Sequence, residues 1–327
     1  MRRREFIVYF GSAATAWPLV GQAQSAMPVV AFIDGGSPDA SAPRPTGFRK
    51  GLSEAGYVLG QNVTVEYHWL EGRYDRLPAL MTGLVHRRVA VIATSTSVPA
   101  ALAAKAATVT IPIVFGVGLD PVKLGLVASL AQPGGNATGI NFLAEEIVPK
   151  GLRLLHDLLP KAVHVAVFVN PSNVAIVEPT LRSVQDAAAT MALQIQILKA
   201  STIGEIDDAF ATFVQDRPDA LIVIPDAFFF SRRGQFVTMA TRDRIPAAYW
   251  DREIVAAGGL MSYGTDYADA CRHVGVYTGM ILKGAKPADL PVLQSTKFSF
   301  ALNLQTAHAL GIEIPSGVLS IADEVIE

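Results

Sequence analysis

Cysteine is almost missing from this sequence, which excludes several kinds of structure. Cys271 is the only cysteine among 327 residues. One cysteine cannot form an internal disulfide or supply a cysteine metal cluster, so neither belongs to this fold. We expect Cys271 to be a small buried side chain on a helix.

Charge is also sparse and balanced. Charged residues make up 17% of the chain and the formal net charge is −2. This balance gives no electrostatic footprint for a nucleic acid or an anionic membrane surface. Half of the residues are hydrophobic, which is typical of buried parallel sheets covered by helices.

The usual motifs of enzymes are missing as well. The sequence contains no Gly-x-Ser-x-Gly elbow, no Walker loop and no metal-ligand spacing. No histidine is expected at the carboxyl edge of a sheet, and most fall in helical or edge positions: His68, His86, His156, His164, His273 and His308. The sequence therefore predicts no catalytic residue, cofactor or metal. Two carboxylates facing each other across a cleft would still allow acid–base chemistry, so a secreted α/β enzyme stays open as an alternative.

The first residues predict an export signal over 1–25. Three arginines, Arg2 to Arg4, precede the apolar run from Ile7 to Val20, and small residues then offer a cleavage site. The arginines favour the twin-arginine route, and the general secretory route remains open. No later segment stays apolar for the ~20 residues of a membrane span. We expect a mature protein in the periplasm that starts at 24–26 and does not insert into a membrane.

The mature chain contains the same βα pattern twice. Short, continuous, β-branched strands alternate with helical stretches, first from Val29 to Phe115 and again from Val163 to Tyr249. This pattern predicts parallel sheets built from βαβ units. We expect an α/β protein of two similar Rossmann-like lobes joined by a hinge that the chain crosses three times. The predicted N-terminal lobe is 28–140 with about 264–288, and the C-terminal lobe is 141–262 with about 290–327.

Several short motifs resemble one family when taken in order. They are Asn62 to Tyr67, Arg76 to Pro78, Ile111 to Phe115, Asp120 to Val122, Gln132 to Gly139, Asn170-Pro171 and Ala322 to Ile326. Together they resemble the ABC transporter substrate-binding proteins similar to tryptophan-binding lipoproteins. The resemblance implies the periplasmic binding protein type 1 fold, with ligand bound in a cleft between the lobes.

The chain departs from this family pattern at two places. No cysteine ends the signal, so the usual lipid anchor is missing and a freely soluble receptor is expected. The run Phe228-Phe229-Phe230 matches no family pattern.

The loops that follow the strands carry the predicted ligand site, because ligands of open α/β sheets lie beyond the carboxyl ends of strands. Ser95 and Thr96 precede a helix, whose first free N–H groups would attract a ligand carboxylate. Plain capping of that helix by Ser97 is the alternative. Asp226 follows another strand and would bind a ligand ammonium, or else cap the next helix.

Other strand ends supply further candidates. Asp34, Gly36 and Asn170 lie at equivalent loops, and Gly116 and Val117 belong to a loop where glycine lets the backbone approach a ligand. Asp120 is expected to be a turn residue. Aromatic candidates for the cleft walls are Phe115, Phe142, Phe228, Trp250 and Tyr263. Core packing is the alternative for each ring, and for Phe115 the two interpretations have equal weight.

The leading interpretation is a monomeric periplasmic receptor that delivers a small amino-acid-like or aromatic carboxylated molecule to an ABC transporter permease. A sensory subunit for a membrane receptor would have the same fold and cleft. A repressor also shares the fold, but here the export signal replaces the DNA-binding headpiece.

Overall fold

The computed structural model describes residues 27–39 and 41–327. The predicted export signal, 1–25, lies outside the described residues. The strands are, in chain order, β1 (Val29–Asp34), β2 (Thr64–Trp69), β3 (Val91–Ser95), β4 (Ile113–Val117), β5 (Ala137–Asn141), β6 (His164–Val169), β7 (Gln194–Lys199), β8 (Ala220–Val223), β9 (Ala247–Tyr249), β10 (Met261–Thr265), β11 (Leu293–Gln294), β12 (Phe298–Asn303) and β13 (Glu324–Ile326).

Helices alternate with these strands. They are α1 (Pro43–Glu54), α2 (Leu77–Arg87), α3 (Val98–Ala107), α4 (Ala144–Leu158), α5 (Val174–Thr190), α6 (Ile203–Ala211), α7 (Ala227–Ser231), α8 (Arg233–Arg242), α9 (Arg252–Ala256), α10 (Tyr267–Leu282), α11 (Leu304–Leu310) and α12 (Ser316–Leu319). Short 3-10 helices cover Tyr74–Arg76, Thr212–Val214 and Pro287–Asp289.

The first lobe is built on a six-stranded sheet with the order β11-β5-β4-β3-β1-β2. Its neighbouring strands all run parallel. The central strands β3 and β4 are buried along their whole length, because helices cover both faces of such a sheet. The carboxyl ends of β1, β3 and β4 therefore meet at one edge.

The second lobe is built on a seven-stranded sheet with the order β13-β12-β10-β9-β8-β6-β7. Only β10 and β12 pair in an antiparallel way among its described neighbours. The carboxyl ends of β6, β8 and β9 again lie at one edge. Two sheets of mostly parallel strands with helices confirm the predicted α/β fold class.

The chain passes between the two sheets three times. It leaves the first sheet after β5, returns after β10 to form α10, and leaves again between β11 and β12. Near the first two passages, Thr265 donates a hydrogen bond of 3.1 Å from its hydroxyl to the carbonyl oxygen of Phe142. The residue limits of the lobes stay a prediction, since sheet membership assigns strands and not domain boundaries.

Helix α10 returns to the first lobe and lies closely against α1. A Cβ atom at Gly51 of α1 would stand 1.9 Å from the carbonyl oxygen of Arg272, and one at Gly275 would stand 2.2 Å from that of Phe48. Only glycine permits this approach of two backbones. Cys271 is fully buried on α10, as expected from the sequence.

The described residues include no helix with the length and apolar character needed to cross a membrane.

Candidate functional site

A cavity of about 580 Å³, counting the part open to solvent, lies where the carboxyl edges of the two sheets face each other. The first lobe and the first passage between the sheets contribute one set of walls: Arg44, Tyr74, Thr96, Ser97, Val98, Pro99, Gly118, Leu119, Phe142, Ala144 and Tyr267. The second lobe contributes Asn173, Ile176, Pro225, Asp226, Ala227 and Trp250. Four predicted site residues therefore line one cavity: Thr96, Phe142, Asp226 and Trp250.

Asp226 is the charged centre of the second lobe's wall. One carboxylate oxygen, Oδ1, accepts hydrogen bonds from the backbone N–H groups of Phe228 and Phe229 at 2.9 and 3.2 Å. The same oxygen accepts from Asn170 Nδ2 at 3.0 Å, and Oδ2 accepts from Asn173 Nδ2 at 3.0 Å. The alternative role as a helix cap is thus confirmed, because Asp226 caps α7.

The carboxylate of Asp226 has no cationic partner in the part of the chain that the structure describes. No Lys, Arg or His there lies within ion-pair distance of it, and Asp226 as a whole is 6% exposed. Burial raises the pKa of Asp226, although the hydrogen bonds from Asn170, Asn173, Phe229 and Phe228 oppose that shift. A buried carboxylate with donors but no counter-charge is suited to receive a cation.

One residue on each lobe's wall of this cavity has an unpartnered polar atom. Thr96 Oγ1 in the first lobe and Asn173 Oδ1 in the second are buried and make no hydrogen bond to a described residue. Thr96 also has a left-handed backbone with a φ of 51°, a conformation that costs a threonine roughly 1–2 kcal/mol. Such strain is typical of sites where the backbone must present a group to a ligand.

Helix α3 begins at the same wall. Ser97 caps it by accepting from the N–H of Ala100 at 3.3 Å, which confirms the capping alternative. Val98 and Pro99 open its first turn and also line the cavity. The positive end of the helix dipole therefore points at the cavity, which favours an anionic group there.

Aromatic rings form the remaining walls. Phe142 meets Tyr267 edge to face, with ring centroids 5.4 Å apart. The ring of Phe142 fits because Gly116 has no side chain, since a Cβ there would stand 2.6 Å from Phe142 Cζ. Trp250 closes the wall from the second lobe. Planar walls of this kind suit a planar or apolar ligand portion.

Arg44 is a site residue that the sequence reasoning missed. Its guanidinium, 5% exposed, pairs with Asp34 at 3.3 Å and lies over the rings of Phe230 and Tyr267 at 4.9 and 5.4 Å. Burial lowers the pKa of Arg44, but the carboxylates of Asp34 and Asp251 outweigh burial and raise it overall. One signal was present, because an arginine in the first turn of a helix opposes the helix dipole and needs a partner.

Tyr74 was missed for a different reason. It lies on the 3-10 helix Tyr74–Arg76, away from any strand end, and still reaches the cavity. Burial, followed by the negative charges of Asp226 and Asp34, raises the pKa of Tyr74, so its hydroxyl stays protonated.

Several predicted residues lie behind the cavity and support its wall. Asp34 holds Arg44 and also accepts from Ser41 at 3.1 Å. Gly36 gives this cluster room, since a Cβ there would stand 2.5 Å from Ser41 Oγ. Ser95 Oγ lies 3.1 Å from Cys271 Sγ.

Other predicted residues pack in the interior of their own lobes. Phe115 and Val117 are fully buried in the core of the first lobe, so core packing describes Phe115 better than a position in the cleft wall. The ring of Tyr263 stacks on Phe298 with centroids 6.1 Å apart. Phe228 differs from these residues because it packs across to the first lobe: it is partly buried, and its Cβ would lie 3.2 Å from a Cβ placed at Gly72.

Asp120 forms the expected turn, with its carboxylate accepting from the N–H of Val122 at 2.9 Å. Over residues 27–39 and 41–327, no group of three or more His, Cys, Asp or Glu side chains is placed to hold a metal ion.

A two-lobed α/β fold with a polar and aromatic cavity between its lobes defines the class of periplasmic-type binding proteins. The family model for ABC transporter substrate binding protein matches residues 27–326, so the chain belongs to that family.

Relatives of known structure or name agree with this family. The tyrosine-binding protein of Clostridioides difficile (strain R20291) is 28% identical over 267 residues, which cover 82% of this chain and 76% of that protein. A Streptococcus pneumonia ABC domain in complex with L-Trp has a TM-score of 0.80 at 26% identity, with 91% of this chain and 99% of that chain covered. The ligand-free, open structure of the Clostridium difficile substrate-binding protein CD0873 has a TM-score of 0.65 at the same identity and coverage.

The overall arrangement here is thus more similar to the tryptophan-bound structure than to the open one. The buried cavity residues and the core shared by the two lobes agree with a closed arrangement.

Proposed function

We propose that this chain is the periplasmic receptor of an ABC importer and captures a small amino-acid-like or aromatic carboxylated molecule between its lobes. The observation that carries the proposal is the buried carboxylate of Asp226, which has no cationic partner among the described residues and lines the same cavity as the unpartnered hydroxyl of Thr96. The ligands named for the relatives, tyrosine and tryptophan, belong to the same chemical class.

The two ends of an amino acid match the two walls. Asp226 would accept a charge-assisted hydrogen bond from the ligand ammonium, and Asn173 Oδ1 would accept a second one. The hydroxyl of Thr96 and the backbone N–H of Val98 would hold the carboxylate, since Pro99 has no N–H and the N–H of Ala100 donates to Ser97. The side chain would then lie among Phe142, Tyr267 and Trp250.

Closure of the two lobes follows because each lobe would supply part of the contacts to the ligand. Only the closed arrangement lets one ligand touch Thr96 and Asp226 together, so the ligand binds that arrangement more tightly and shifts the population toward it. The closed shape would then be the one that docks on a permease. In this role the chain binds its ligand and does not convert it.

The expected location follows from the same role. An importer receptor works outside the cytoplasm, and export by the N-terminal signal over 1–25 would bring the chain there. We expect the exported chain to act as a monomer.

A thermal-shift screen of the mature chain, starting near Gln24, tests the proposal. The protein is unfolded and refolded first to remove carried-over ligand, and the panel holds amino acids, aromatic acids and small amides. A ligand at ~100 times its Kd stabilises the native state by about 2.7 kcal/mol, and we expect a selective rise of several degrees for amino acids. If no amino acid or aromatic acid raises the midpoint, this ligand class is wrong.

A further inference from the structure

A second cavity adjoins the first between the same two lobes. It encloses about 700 Å³, including space open to solvent, and shares Arg44, Trp250 and Tyr267 with the first cavity. Asp251 and Phe230 also line it. The two cavities are therefore neighbours, with Arg44, Trp250 and Tyr267 as common wall residues.

Arg44 presents unused donors here. Only Nη1 of its guanidinium makes hydrogen bonds, to Asp34 and Ser41. The Nε and Nη2 donors have no hydrogen-bond partner among the described residues, although the side chain is 6% exposed. Neither nitrogen is among the fully buried unpartnered side-chain atoms, so both donors are accessible to a ligand acceptor.

Asp251 presents an unused acceptor at the same cavity. Its Oδ1 accepts from the N–H of Glu253 at 2.9 Å as the cap of α9, and Oδ2 has no hydrogen-bond partner among the described residues. Asp251 is 8% exposed. Burial raises the pKa of its carboxyl group, and the positive charge of Arg44 opposes that shift. The two side chains form no ion pair within 4.0 Å, so neither satisfies the free hydrogen-bonding groups of the other.

We propose that the second cavity is a subsite for a hydroxyl group on a planar side chain, which accepts from Arg44 and donates to Asp251. The inference rests on the proposed function, because the amino-acid head must occupy the first cavity. A hydroxyl satisfies both protein groups, whereas a carboxylate has no proton for Asp251 and an ammonium has no acceptor for Arg44. Phe230, Trp250 and Tyr267 provide flat walls for the ring that carries the hydroxyl.

Titration calorimetry with L-tyrosine and L-phenylalanine tests the subsite, because these ligands differ only in the hydroxyl. We expect the stripped wild-type protein to bind L-tyrosine about 10- to 100-fold more tightly. In Asp251→Asn the amide oxygen still caps α9, and the amide N–H₂ replaces the acceptor. The preference should then fall by about tenfold, while the affinity for L-phenylalanine changes by less than about twofold.

The matched control is Asp120→Asn, which alters a carboxylate with the same turn geometry that lines neither cavity and should keep the preference. Arg44→Lys keeps a charge beside Asp34 but loses the fork of donors, and it should also lose the preference. If Asp251→Asn fails to fold, Arg44→Lys decides the question.

The outcomes separate the two proposals. Equal wild-type affinity for both ligands, or a preference that survives Asp251→Asn and Arg44→Lys, would overturn the subsite and leave the receptor proposal standing. Binding of neither amino acid would overturn the subsite, and failure of the whole amino-acid panel would overturn the receptor proposal as well.

Discussion

Replacing Asp226 by asparagine removes one negative charge from the first cavity and hardly changes the size of the side chain. The asparagine oxygen can still accept from the backbone N–H groups of Phe228 and Phe229 and from Asn170. The new amide N–H₂ would meet Asn173 Nδ2, but rotation of the Asn173 amide would present its unpartnered Oδ1 instead. We therefore expect the unliganded variant to fold, with a change in the free energy of unfolding within about 1 kcal/mol.

Ligand affinity should respond much more strongly. Removing one partner of a buried, hydrogen-bonded charge pair costs at least about 2 kcal/mol, and a loss of 2–4 kcal/mol is roughly a 30- to 1,000-fold rise in Kd. The structure supports the large value because no cation of the described residues pairs with Asp226, which is 6% exposed.

Titration calorimetry with the best ligand from the screen measures this loss. Asp219→Asn is the control, since Asp219 also accepts from two backbone N–H groups of the second lobe, those of Val163 and His164, but lies outside the cavity. A twofold change or less in Asp226→Asn, with the fold intact, would refute the ammonium contact.

The pH dependence of ligand affinity gives a second test of the contact between Asp226 and the ligand ammonium. Burial raises the pKa of Asp226 in the folded protein. The folded state is therefore stabilised at a pH below the pKa of Asp226 in the unfolded chain, and this stability is lost as the pH rises through the pKa of Asp226 in the folded protein. A ligand ammonium needs the ionised form, so affinity should fall as the pH drops through this raised pKa. Calorimetry from pH 7 to pH 4 should show that fall in the wild type and a weaker one in Asp226→Asn; identical profiles would contradict the assignment.

Further predictions concern other residues. Thr96→Gly should relieve backbone strain and leave the melting temperature equal or higher, yet weaken binding at least about threefold through loss of the hydroxyl; unchanged affinity would exclude Thr96 from the site. Gly51→Ala should cost about 1–3 kcal/mol, because the new Cβ would clash with the carbonyl oxygen of Arg272 and force α1 away from α10. The loss would appear as a lower urea midpoint, and an unchanged midpoint would contradict that close contact. Burial raises the pKa of Cys271 to about 12, so a thiol reagent should label it only in denaturant, and rapid labelling of the native protein would be inconsistent with its burial. Trp250 should report ligand by a change in fluorescence that Trp250→Phe reduces; an undiminished change would place the reporter elsewhere.

The sheets could be predicted because their strands are continuous apolar runs. Val29 to Asp34 and Val91 to Ser95 have no alternation of polar and apolar residues, which is typical of strands covered on both faces. The order of these runs along the chain then brings their loops to one edge of each sheet. Thr96, Asp226 and Trp250 were found in this way.

The continuous apolar character of these strands also prevented a prediction of which side chains reach the cavity. In a strand covered on both faces, Phe115 and its neighbours are equally apolar, so the sequence does not distinguish the cleft from the core. Tyr263 likewise belongs to an entirely buried strand. Arg44 and Tyr74 could not be placed from spacing, because their positions depend on how a helix and a loop fold back over the strand ends.

Small-angle X-ray scattering of the stripped protein, with and without its best ligand, tests the central claim of capture between closing lobes most directly. The account predicts a smaller radius of gyration with ligand, and a ligand-bound scattering curve that fits the closed arrangement described above. A ligand that binds tightly and leaves the radius of gyration and the scattering curve unchanged would contradict closure as the mechanism of capture.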